Sequence, residues 1–210
     1  MFRQNVLQSI NRRFAILSLC ALTLVISSCA NQTIQTETEK NSLWEHHQRE
    51  ILKLRDWELA GRMAVRVDKD AWSASLYWIQ TGDSFEIRII APLAQGSALI
   101  TGDKDSILLK TSDNREFSDK DVNEILKNSF GWSIPLNALK YWIRGIPNSA
   151  VTSDKLAIND SGHLQKFEQD GWSIDYQRYD LTKENALPSR VEFTRARTQV
   201  RIVINRWDLN

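Results

Sequence analysis

The sequence predicts a mainly β protein with some α, a mostly antiparallel sheet curled around inserted helices. Three observations carry this. Hydrophobicity alternates with period two from Trp57 to Val67, again from Trp72 to Trp78, and again beyond residue 155. Turn-forming pairs such as Gly102-Asp103 and Asp170-Gly171 separate the runs. A helical spacing of three and four is confined to the start of the domain and to its middle.

Residues 1–28 read as a lipoprotein signal peptide. Arg3, Arg12 and Arg13 precede an apolar run from Phe14 to Ile26 with no acid among them. That run is about 13 residues long, short of the roughly 20 needed to span a bilayer. It closes on Ile26-Ser27-Ser28-Cys29, small residues and then a cysteine. Cleavage before Cys29 makes it the new N-terminus, with its thiol joined to diacylglycerol. Cys20 follows the large Leu19 and suits cleavage less well.

After the signal, the chain carries 24 basic against 26 acidic residues. Without a basic block, nucleic acid is not the expected partner. Cys29 is the one cysteine left, so the fold rests on its apolar core and not on a disulfide. Eight tryptophans supply large apolar area with a polar edge.

The elements follow in order. Residues 29–41 are polar and aperiodic, a lipidated flexible tether. The single domain spans 42–210. Ser42 with Glu45 makes a capping box, and Trp44, His47, Ile51 and Leu52 form the stripe of the leading helix. Trp57 to Val67 is a strand with one dry face, and the turn Asp68-Lys69-Asp70 leads into Trp72, Ala74, Leu76 and Trp78. Phe85 to Ala91 is the next strand, followed by short strands near 97–101, 106–111 and 115–117. Ser118 or Asp119 can cap a helix carrying Val122, Ile125, Leu126 and Phe130. Pro135 opens a further helix with the stripe Leu136, Leu139, Trp142 and Ile143, ended by Gly145. Strands return over 155–158, 163–169, 172–179, 190–196 and 199–207. The total is about eleven strands.

Catalytic and cofactor signatures are missing. The sequence has no HExxH, no G-x-S-x-G, no GxGxxG and no Walker loop. His46 and His47 are adjacent and point to different sides of a helix, and His163 reads as a solvated side chain. No enzyme activity, metal or cofactor is expected.

The segment Ile89 to Ser97 stands out. Pro92 ends the ladder and Gly96 frees the backbone, which places Leu93 at the tip of a connection between two strands. Burying a leucine is worth roughly 1.5–3 kcal/mol. Two readings stand: Leu93 folds onto the core, or it meets lipid or a bound client.

Three segments resemble the LolB family of outer-membrane lipoprotein receptors: the lipobox with its tether and Leu43-Trp44-Glu45-His46-His47, then Ala91-Pro92-Leu93 with Gly96, then Ile134 to Pro147. The resemblance spans the mature chain and implies an incomplete, unclosed antiparallel β-barrel of eleven strands enclosing an apolar cavity capped by helices. It implies a receptor, lipid-anchored in the outer membrane and facing the periplasm, that accepts acylated lipoproteins from the soluble carrier LolA. It then inserts them into the inner leaflet of that membrane. It also implies that Leu93 is needed for release, that Ala30 and Asn31 after Cys29 suit outer-membrane sorting, and that the working form is a monomer.

A curved sheet lidded by helices gives a dry hollow. Trp57, Leu59, Met63, Trp72, Leu76 and Trp78 are candidates for its wall, with Leu136, Leu139 and Ile143 from the helix. Plain core packing is the alternative for each. A lipocalin-like binder of a small free lipid and a structural envelope lipoprotein with a filled core remain as rival functions.

Overall fold

The structure is a computed structural model that describes residues 36–92, 96–119, 134–182 and 185–209. The expected signal peptide, Cys29, Leu93, and the helix of Val122, Ile125, Leu126 and Phe130 lie outside the described residues.

Eleven strands form one antiparallel sheet. They are β1 (Asp56–Val67), β2 (Asp70–Thr81), β3 (Ser84–Ile90), β4 (Ser97–Gly102), β5 (Ile107–Thr111), β6 (Glu116–Asp119), β7 (Ser153–Ile158), β8 (Leu164–Gln169), β9 (Trp172–Asp180), β10 (Leu187–Arg195) and β11 (Thr198–Leu209). Their spatial order is β6-β5-β4-β3-β2-β1-β11-β10-β9-β8-β7. Two meanders, one from each half of the chain, therefore meet where β1 pairs with β11. The edges β6 and β7 stay apart, so the sheet is not closed into a barrel. This matches the fold class read from the sequence.

The period-two pattern builds that sheet. Trp57, Leu59, Met63 and Val65 of β1 are buried, as are Ala74, Leu76 and Trp78 of β2, while Arg62, Ala64 and Arg66 face water. Indole rings gather on the dry face: Trp57 lies 5.2 Å from Trp78 on β2, tilted, and 5.5 Å from Trp207 on β11, edge to face. At Ala60/Gly61 the β1–β11 register slips by one residue. A Cβ on Gly61 would come within 2.3 Å of the Val203 carbonyl oxygen, so only glycine admits the β11 backbone this closely.

Two helices are present among the described residues. The first, α1, covers residues 36–53 and runs straight through Ser42. The predicted cap at Ser42 and the tether to residue 41 are corrected to that extent. Residues 36–41 hold no Gly or Pro, and a Glu37–Lys40 pair at 3.5 Å supports the first turns. Trp44, His47 and Ile51 are buried as expected, but Leu52 is exposed.

The second helix, α2 (Leu136–Trp142), follows Pro135. It ends in a Schellman turn: Gly145 N–H donates to the Trp142 carbonyl at 3.1 Å and Ile146 N–H to the Tyr141 carbonyl at 3.3 Å. Gly145 has φ +88°, the left-handed conformation this turn demands.

His47 meets the sheet through His163, ring centroids 4.7 Å apart and edge to face. His163 in turn stacks on Tyr179 at 4.9 Å. His163 is thus half-buried packing, a correction to its reading as a solvated residue. Burial, aided by the neighbouring His163 and His46, pulls the His47 pKa down to about 4. Its Nε2 is buried with no hydrogen-bond partner among the described residues.

Gly61→Ala should lower stability by about 1–3 kcal/mol, because backbone and not a pliable side chain must yield; chemical denaturation would measure it. His47 binds its proton less readily folded than unfolded. Its contribution is intact above the unfolded pKa of 6.5 and is lost as pH falls toward about 4. Stability should drop by roughly 2 kcal/mol over that window. The drop should be shallower in His47→Gln, read from urea midpoints across the same range.

Candidate functional site

The site is the dry face under α2. Leu136 and Leu139 lie on one face of α2 at helical spacing, with Trp142 one turn further on, all buried. Leu136 and Leu139 border a cavity of about 30 Å3 whose lining is wholly apolar, shared with Met63, Leu76, Trp78 and Ile202 among others. Space of this size admits one or two waters at most, and an apolar lining leaves it dry.

The other end of α2 is fastened. Trp142 is fully buried and packs against Phe167, Trp172 and Phe193, with ring centroids 6.1–6.5 Å away. Its indole Nε1 donates to Gln169 Oε1 at 2.7 Å. The same oxygen accepts Asn148 N–H at 2.9 Å, while Gln169 Nε2 donates to the Asn148 and Val151 carbonyls at 2.9 and 2.8 Å. Tyr176 OH donates to the Trp142 carbonyl at 2.6 Å; burial raises the pKa of that phenol well above its ordinary value and keeps it neutral. One end of α2 is thus bonded into β8 and β9, and the other rests on hydrocarbon.

Beside the 91–96 connection lies an open groove of about 750 Å3, bordered by Trp72, Ala74, Ile89, Pro92, Ala98 and Arg115. Ala91 N–H donates to the Gly96 carbonyl at 3.0 Å and closes the base of that connection. Ile89 borders both the groove and the cavity under α2.

Of the residues expected to wall a hollow, the structure places Met63, Leu76, Trp78, Leu136 and Leu139 around this small cavity. Trp57, Leu59 and Ile143 are buried in the core away from the cavity, and Trp72 sits half-buried at the groove. Trp57 packs against Trp78 and Trp207, with the Arg144 guanidinium 5.8 Å from its ring. The buried polar groups Gln80, Arg144 and Gln169 escaped the sequence reading. Gln80 continues the spacing of Leu76 and Trp78, and Gln169 that of Phe167, so a polar residue on a dry stripe was the available signal.

The family model described as Outer membrane lipoprotein LolB matches residues 55–207. The chain belongs to the LolB family. The Outer-membrane lipoprotein LolB of Francisella tularensis subsp. tularensis strain SCHU S4 is 36% identical over 203 residues, covering 94% of this chain and 96% of that one. The protein of the same name from Nitrosococcus oceani is 30% identical, covering 91% and 95%. This LolB-family chain also shares its fold with two solved structures. A DUF1329 family protein from Desulfovibrio piger has TM-score 0.56 at 7% identity, covering 81% of this chain and 92% of that one. A LolA superfamily protein from Nitrosomonas europaea has TM-score 0.51 at 9% identity, covering 80% and 92%.

Gln169→Leu should strip four polar groups of their partner and cost roughly 3 kcal/mol. Faster amide hydrogen exchange in α2 than in β1 and β11 would locate the loss.

Proposed function

We propose that this chain is an outer-membrane lipoprotein receptor that takes acylated lipoproteins from a LolA-type carrier and passes them into the bilayer. The observation that carries the reading is the wholly apolar cavity under α2, separated by Ile89 from an open groove at the base of the 91–96 connection. The family and the lipobox ending in Cys29 support it.

At about 30 Å3 the cavity is the resting state, too small for a fatty acyl chain. A chain entering at the groove passes Ile89 and wedges under Leu136 and Leu139. The N-terminal end of α2 yields, because among the described residues Leu136 and Leu139 meet only apolar side chains at the cavity, while Trp142 and Gln169 keep the other end fixed. Each CH2 taken from water is worth about 0.8 kcal/mol, so a long chain offsets the opening. Transfer runs downhill from carrier to receptor to bilayer, and Leu93 lowers the barrier to the last step by dipping into lipid. The receptor is anchored through Cys29 and faces the periplasm.

A labelled lipoprotein presented on purified carrier tests this. It should move to the receptor, and onward when liposomes are added. Leu93→Glu should load normally and fail to deliver; normal delivery by that variant would refute the role of the loop. Mass spectrometry of what co-purifies separates the rival: acylated peptide supports the receptor, and free lipid alone a lipocalin-like binder.

A further inference from the structure

A second hollow, of opposite chemistry, lies where the end of α1 meets β1, β2 and the end of α2. It is a cleft of about 290 Å3, close to the lower size of small-ligand sites. Arg55, Lys140 and Arg144 line it, against a single acid in the lining, Asp83. Trp57 and Tyr141 supply aromatic wall.

Arg144 is its fixed element. It is 6% exposed, yet among the described residues no carboxylate pairs with it. Its Nε donates to the Lys140 carbonyl at 2.8 Å, and its Nη1 to the Ile51 and Leu54 carbonyls at 3.1 and 2.7 Å. The guanidinium also lies 5.6 Å from the Tyr141 ring centroid. Nη2 takes part in none of the three hydrogen bonds. Desolvation lowers the Arg144 pKa to about 10, as expected of a buried cation lacking an anion.

These carbonyls orient the guanidinium but neutralise no charge. A carboxylate would leave the lining with an excess of positive charge. A phosphomonoester carries about −1.5 to −2 at neutral pH and accepts a guanidinium fork. We propose that this cleft binds a dianionic phosphate group, with Nη2 of Arg144 as its fixed donor and Arg55 and Lys140 closing on it. The cleft holds a head group and not a hydrocarbon tail, so the proposal stands apart from the reading of the apolar cavity.

Isothermal titration of the full chain with inorganic phosphate and with sn-glycerol 3-phosphate tests it at fixed low ionic strength. Saturable binding is expected. The double variant Arg55→Gln, Lys140→Gln, which spares the Arg144 bonds to both helices, should weaken it at least tenfold. Arg62→Gln with Arg66→Gln removes the same charge from the wet face of β1 and should leave it unchanged. With the chain in phosphatidylcholine vesicles, phosphatidic acid added to the bilayer separates the sources: lost binding of glycerol phosphate supports a lipid-borne phosphate, and retained binding a soluble one. Absence of binding by either soluble anion, or equal weakening in both double variants, overturns the proposal.

Discussion

The pairing of β1 with β11 is the constraint on which the structure depends. The ends of the domain are joined there, and without it the meanders β1–β6 and β7–β11 would be separate ribbons, each with one unsatisfied apolar face. Loop closure over almost the whole domain is entropically costly, so the seam needs strong local compensation. It has a ladder of eleven residue pairs, an edge-to-face contact of Trp57 with Trp207, and a Trp207 indole that donates to the Pro188 carbonyl at 2.9 Å, binding β11 to β10 as well. Gly61 sits inside this ladder because a side chain there would hold the two backbones apart.

With the seam made, the stretch between β6 and β7 need not cross the sheet edge to edge. The described helix of that stretch, α2, lies over the dry face. The polar bonds of Gln169 cluster at one end of that helix, where the chain turns back toward β7. An apolar contact can slide and re-form against many partners, whereas a buried hydrogen bond broken without replacement costs the full desolvation of its groups. Among the described residues, the directional bonds of α2 gather at its Trp142 end and the apolar contacts at its Leu136 end, without a hinge residue between them.

Much of this was legible in the sequence because period two and turn chemistry are local. Trp57–Val67, Trp72–Trp78 and the strands after residue 155 declared themselves by alternation, and Pro135 and Gly145 marked the ends of α2. The start of α1 was not legible: Ser42 is a good cap residue, but a cap is used only where helix cannot continue, and nothing in 36–41 stops it. Leu52 was misplaced because a stripe of apolar residues is wider than the face a neighbour covers. Within the site, alternation assigned Trp57, Leu59, Met63 and Leu76 alike to the dry face. Which of them borders a void depends on what packs opposite, a tertiary fact that no single strand encodes. The same holds for Arg144, whose partners Ile51 and Leu54 lie some ninety residues away in the chain.

A receptor for hydrocarbon faces a conflict between readiness and stability. An open apolar hollow in water would expose the surface that holds the protein together. Filling it with large fixed side chains would leave no room for a guest. The arrangement around Leu136 and Leu139 answers both demands: the void at rest is close to the size of a methylene group or two, so little dispersion contact is forfeited. Leu136 and Leu139, the helix side of that wall, have no polar side-chain atom and so no directional bond to break on displacement. Met63, with its unbranched and polarizable chain, lies in that wall and can follow a guest of varying shape. On the proposed function, the energy that opens the space comes from the guest itself, whose CH2 groups leave water as it enters.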